Sequence, residues 1–153
     1  MQQPYEVRDG EYLISTDISK LDVNLIHKFL SEESYWATGI PKDIVEKSIS
    51  NSICFGLYCG NMQIGFSRVV TDKATFAYLA DVFVLQEYRG KGLSKWLMKI
   101  ILAHPELQSL RRWILTTKDA HSLYEQFGWT RLPDEYSYRF MLRHNPEVYK
   151  RER

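Results

Sequence analysis

The chain has little of what marks an extracellular, membrane or nucleic-acid-binding protein. Its 153 residues include two cysteines, Cys54 and Cys59, too few for a disulfide framework or a cysteine metal quartet. No apolar run approaches the roughly 20 residues that cross a bilayer, so no membrane partner is expected. The opening Met1-Gln2-Gln3-Pro4-Tyr5-Glu6 has neither the basic nor the apolar region of a secretory leader, and a cytoplasmic, reduced setting is expected. Charge of one sign is missing too. Lys and Arg number 20 against 19 Asp and Glu, a net +1, and no basic stripe calls for nucleic acid. There is no repeat or low-complexity tract, and no cluster of His, Cys, Asp or Glu has ligand spacing, so no metal is expected.

What is present suits a packed domain: 44% hydrophobic and 25% charged residues. The 14% aromatic content is high, and composition alone does not separate a large core from a ligand cleft or a partner surface.

Periodicity supplies the elements. Residues 12–16 read as a short strand. Ser19 with Asp22 resembles a capping box, opening a helix with Leu21, Leu25 and Phe29 on its apolar side. Pro41 suits the first position of a second helix carrying Ile44, Val45, Ser48 and Ile49. Residues 53–58 and 63–71 around Gly60-Asn61 read as a hairpin, and the apolar run 74–85 as a central strand covered on both faces. Leu93, Trp96, Leu97, Ile100 and Ile101 mark an amphipathic helix. A strand over 113–117 follows, then a helix with Ala120, Leu123, Tyr124 and Phe127 that Gly128 ends, then strands over 129–132 and 138–142. The expected architecture is α/β: one domain over residues 11–144, with a mixed, mostly antiparallel central sheet flanked by helices. A loose stretch 1–10 would precede it and a polar tail 145–153 would follow.

Chemistry concentrates where the central strand ends. Val82-Phe83-Val84 run through Leu85-Gln86-Glu87-Tyr88 into Arg89-Gly90-Lys91-Gly92-Leu93-Ser94-Lys95, and a helix starts at once. The glycines permit a sharp turn and close ligand approach. The first helical N–H groups lack internal partners, the helix dipole adds positive potential, and Arg89, Lys91 and Lys95 add charge. Together these make an anion site suited to phosphate. It is not a P-loop, because Leu93 stands where Lys-Ser/Thr would follow the second glycine. It is not a dinucleotide fingerprint, because Lys95 replaces the third glycine.

Arg89-Gly90-Lys91-Gly92-Leu93-Ser94 resembles the Gln/Arg-x-x-Gly-x-Gly/Ala signature of the GNAT superfamily of N-acetyltransferases, departing only at Ser94. A second segment agrees: residues 117–129 are similar to that family's Asn-x-x-Ala-x-x-Leu-Tyr-x-x-x-Gly-Phe, with Thr117 for Asn and Trp129 for Phe. The resemblance implies acetyl-CoA as acyl donor. Val82, Phe83 and Val84 would offer backbone groups to pantetheine, Gly90 through Lys95 would hold pyrophosphate, and Thr117 would touch the pantetheine arm. Tyr124 would lie near the thioester sulfur, and a splay between the central strand and the next would admit the cofactor.

Acyl transfer to a primary amine needs a deprotonated nucleophile, a base, donors for the thioester oxygen and a donor for the leaving thiolate. Tyr124 suits the last role, since hydrogen bonding suffices without full proton transfer. Asp81, a carboxylate within an apolar run, is the candidate base or substrate contact. The alternative is a structural Asp paired with an Arg such as Arg68. Tyr78 and His121 are other candidate bases. Tyr35 and Trp36, between the first two helices, suit an acceptor wall or a core plug. Arg111, Arg112, Lys150, Arg151 and Arg153 read as solvated charges. The expected partner is an amine, small molecule or protein, with a homodimer left open. The rival function is an acyl-CoA-binding sensor without catalysis.

Overall fold

The computed structural model describes residues 3–150. The chain forms two compact units, Met1–Leu115 and Thr116–Arg153. The first holds one mixed sheet whose spatial order follows the chain. Its strands are β1 (Glu6–Asp9), β2 (Tyr12–Ser15), β3 (Ile53–Cys59), β4 (Met62–Thr71), β5 (Phe76–Val84) and β6 (Arg112–Ile114). The first five pair antiparallel, and β6 lies parallel to β5 after the crossover helix α3 (Leu93–Ala103). Among the described residues no helix is long and apolar enough to cross a membrane.

The stretch expected to be loose at the start contains a strand. Its sequence Glu-Val-Arg-Asp shows no apolar alternation, so it is held by the ladder to β2 and by side chains. Glu6 accepts from Ser15 and from Lys20, both at 2.6 Å, and these donors hold its carboxyl below the usual range.

Helix α1 (Val23–Lys28) is capped by Asp22, which accepts from Leu25 N at 3.1 Å, rather than by Ser19. Ser19 instead donates to Asp17, the cap of a preceding 3-10 turn, because that carboxylate is only two residues away. The helix then widens into a π-helical turn, Phe29–Glu33, closed by Ser34 N to Phe29 O at 2.9 Å. Helix α2 (Lys42–Ser50) begins one residue later than expected, with Pro41 as its N-cap.

Consecutive buried positions along β3 and β4 put buried side chains on both sheet faces. Ile14, Ile26, Val45, Phe55, Leu57, Ile64, Phe66, Leu97, Met98 and Ile101 are fully buried. His104 is buried as well, with its Nδ1 accepting from Glu106 N at 3.1 Å, and burial lowers its pKa. Two close approaches need glycine. A Cβ at Gly56 would overlap the Tyr58 hydroxyl, and one at Gly65 would come within 2.9 Å of the Phe83 carbonyl. Gly56→Ala is therefore expected to destabilise the fold by about 1 kcal/mol, the low end for overpacking since a ring tip can yield. Urea melts should show the lowered midpoint, and an unchanged midpoint would contradict this packing.

In the second unit, α4 (His121–Glu125) stops two residues before Phe127, and the chain then closes at Gly128 as expected. Gly128 has φ +90°, and Trp129 N reaches back to Tyr124 O at 3.3 Å. The two strands expected at 129–132 and 138–142 do not form. Pro133 presets the entry to a short helix, α5 (Asp134–Ser137), with Asp134 and Glu135 in its first turn. Apolar alternation past this point, with Tyr138, Met141 and Leu142 exposed, finds no ladder. Lys150 pairs with Glu147, while Arg151 and Arg153 lie outside the described residues.

Candidate functional site

The turn from β5 into α3 has the open, N–H-lined form of an anion cradle. A 3-10 turn, Gln86–Tyr88, leads to Gly90 at φ +80° and Gly92 at φ +77°, both left-handed. Gly92 is the N-cap of α3 and offers no side-chain cap. The first helical bond runs from Trp96 N to Gly92 O at 3.0 Å, so the N–H groups of Leu93, Ser94 and Lys95 have no acceptor among the described residues. A Cβ placed on either glycine meets nothing within 4 Å, so the space above the turn is open. Lys91 Nζ stands 5.5 Å from the Tyr88 ring centroid. Arg89, counted from sequence as a cation of the site, also ties the turn to the strand: its Nε donates to Val84 O at 2.8 Å.

Beside the cradle, β5 has a free edge. Its pairing with β6 covers Phe76, Ala77 and Tyr78 against Arg112, Trp113 and Ile114, and no further. Leu79 through Val84 therefore lack a strand on that side among the described residues. The edge includes Val82, Phe83 and Val84, and a linear chain carrying amides could bond to it as a strand would.

Asp81 interrupts the ladder. Between Phe66↔Phe83 and Arg68↔Ala80 the register shifts, because β5 carries one extra residue there. Asp81 takes φ +56°, a left-handed conformation inside a strand that an L-residue adopts at a cost of about 1–2 kcal/mol. Both its oxygens are engaged: Oδ1 accepts from Trp36 Nε1 and Oδ2 from Arg68 Nε, each at 2.9 Å. Arg68 is held in turn by Ser52 Oγ at 3.1 Å. The Arg68 pairing weighed from sequence is present, and the tie to Trp36 is new.

That tie fixes the loop after the π-helical turn. Trp36 meets Tyr35 edge to face at 5.1 Å, and Phe29 stacks on Phe83 at 3.9 Å. Tyr35, Trp36, Asp81 and Phe83 are thus brought to one place, and Trp36 and Tyr35 remain 42% and 52% exposed. Of the other candidate bases, Tyr78 is half-buried on β5 and His121 opens α4. The cysteines are free, and burial pushes the Cys54 thiol up to about 12. Among the described residues no three His, Cys, Asp or Glu side chains group to hold a metal.

The second unit carries the other two candidates. The Thr117 hydroxyl accepts from Ala120 N at 3.0 Å, forming the entry to α4. Tyr124 is buried and meets Trp129 edge to face at 6.1 Å.

Comparison with known proteins gives a consistent picture. The Acetyltransferase (GNAT) domain family matches residues 50–131. A protein of Gibberella zeae named as a candidate acetyltransferase is 34% identical over 144 residues, covering 80% of each chain. A crystal structure of a candidate GNAT-family acetyltransferase from Xanthomonas campestris pv. campestris is 48% identical. It superposes with a TM-score of 0.87 and covers 92% of this chain and 97% of its own. A GNAT-family acetyltransferase from Elizabethkingia anophelis, solved with acetyl-CoA bound, shares the fold at 13% identity and a TM-score of 0.59, over 90% of this chain and 92% of its own.

Proposed function

This chain belongs to the GNAT acetyltransferase family, and from that premise we propose that it moves the acetyl group of acetyl-CoA onto a primary amine. Transfer is by direct attack within a ternary complex. The observation that carries this reading is the cradle at Gly90 and Gly92, with its unclaimed N–H groups and open space, beside an unpaired edge of β5.

In this reading the N–H groups of Leu93, Ser94 and Lys95, with Lys91, hold the pyrophosphate. The free edge at Val82, Phe83 and Val84 bonds the pantetheine amides, and an N–H there steadies the thioester oxygen as it gains charge. The amine nitrogen attacks the carbonyl carbon, the carbon–sulfur bond breaks, and the sulfur leaves with a hydrogen bond from Tyr124. Asp81 receives the ammonium. Each carboxylate oxygen keeps a lone pair after its bond to Trp36 or Arg68, so it accepts from the nucleophile or from a water relaying its proton.

The Arg68 pair also suits the rival reading, a protein that binds acyl-CoA without turning it over. Release of free CoA from acetyl-CoA with a panel of amines separates the two, and binding without release across the panel would sink acyl transfer. Asp81→Asn tests the carboxylate. Asparagine tolerates the left-handed backbone but loses the charge and one of the two bonds. The rate at subsaturating amine should fall on the order of tenfold or more with CoA affinity unchanged. A rate within about twofold of the parent would reduce Asp81 to a structural role.

A further inference from the structure

The sheet face next to Asp81 is unevenly covered. Phe66, Arg68 and Val70 of β4 share it, and the register sets them against Phe83, Ala80 and Tyr78 of β5. Phe76 and, from β6, Ile114 join the same face. Above Asp81 this face is closed, with Phe66 and Phe83 buried and Phe29 stacked on Phe83. Below it Val70 and Phe76 are each 38% exposed, and Tyr78 and Ile114 are half-buried. Trp36, pinned to Asp81 through its indole N–H, stands at the boundary.

The chemistry of this strip is one-sided. Arg68 and Asp81 are the only charged residues of β4 and β5, and they are already paired. Tyr78 contributes one hydroxyl, Arg112 lies at the β6 end opposite Phe76, and the remainder is apolar. An acceptor with several hydroxyls or ammonium groups would find few partners there and leave polar groups unpaired. A flat apolar body would be matched on two sides, by the strip below and the Trp36 ring beside it.

Resting on the acetyl-transfer reading above, we propose that the acceptor is a primary amine borne on an aromatic or extended apolar body. That body lies over Tyr78 and Val70 against Trp36, extending toward Phe76 only when it is long, with its ammonium directed to Asp81, two residues before Phe83 on the cofactor strand.

The test measures CoA release at saturating acetyl-CoA with 2-phenylethylamine, hexylamine, methylamine, spermidine, glucosamine and a lysine-bearing peptide. The first two should exceed spermidine, glucosamine and the peptide in kcat/KM on the order of tenfold or more. Val70→Lys, at an exposed position, should raise KM for 2-phenylethylamine several-fold and spare methylamine, which is too short to reach the strip; a purely structural effect would move both. Preference for spermidine, glucosamine or the peptide would overturn the acceptor class and leave acyl transfer standing. If no amine is turned over, calorimetric titration of 2-phenylethylamine into the CoA-bound protein decides. Absent binding, or binding indifferent to Val70→Lys, overturns the proposal, whereas failure to bind CoA at all overturns the underlying reading.

Discussion

Tyr124→Phe should slow single-turnover acetyl transfer at least tenfold, and on the order of a hundredfold if water does not replace the lost donor. The substitution removes one hydroxyl and leaves a ring of the same shape against Trp129. In the proposed transfer the leaving sulfur gains its charge only as the carbon–sulfur bond breaks, so a hydroxyl that donates to it would act mainly in the transition state. Its loss should lower kcat and kcat/KM together, with CoA affinity nearly unchanged. Tyr124 is buried on α4, and a purely packing role predicts the opposite pattern, a modest stability loss with normal turnover. Rapid-quench kinetics with a working amine separates the two. A rate within about twofold of the parent, with chemistry shown to limit, would end the assignment of Tyr124 as thiolate donor.

Gly92→Val should weaken CoA binding at least tenfold, about 1.4 kcal/mol. Two effects act together. At φ +77° a β-branched residue is strained, and its methyl groups would fill the open space above the turn, where the proposed binding mode brings phosphate to the α3 N–H groups. Gly92→Asn separates them, because asparagine accepts left-handed backbone while still filling the space. If steric block dominates, calorimetry will show both variants weakened; if strain dominates, only valine will suffer, and its melting temperature will fall with its affinity. Undiminished CoA affinity in a folded Gly92→Val protein would remove the cradle from the site.

The turn at Gly90 and Gly92 and the start of α3 were readable in the sequence because their geometry is local. Gly90, Gly92 and the apolar period of Leu93, Leu97, Ile100 and Ile101 define a turn and a helix start without any long-range contact. The hairpin at Gly60-Asn61 was readable for the same reason. The Asp81 geometry was only half legible. A hairpin that pairs Val70 with Tyr78 sets Arg68 against Ala80, one residue short of Asp81, and the extra residue that closes this gap leaves no mark in composition. Trp36 lies 45 residues from Asp81, and no periodicity links them. The π-helical turn that carries Phe29 onto Phe83 was invisible for a related reason, since its apolar residues also fit an α-helix. Beyond Gly128 the alternation was misleading. Apolar residues at 129–132 and 138–142 look like strand faces, but Pro133 and two acidic residues favour a helical turn between them.

The order of the strands also bears on how this chain leaves the ribosome. Because spatial neighbours are chain neighbours from β1 to β6, each new strand meets a partner that has already emerged. The first five pair antiparallel, and tight turns link β1 to β2, β3 to β4 and β4 to β5, which keeps loop closure at those joints inexpensive and pairing fast. Two additions must wait for intervening helices to be synthesised, β3 for α1 and α2 and β6 for α3. At translation rates of about 5–20 residues per second, the 27 positions between Val84 and Arg112 take on the order of seconds, during which β5 is the growing edge. Through that interval the apolar Phe76–Val84 strand presents unpaired N–H and C=O groups, so the edge proposed for the cofactor is also where a nascent chain is most open to pairing with a neighbour.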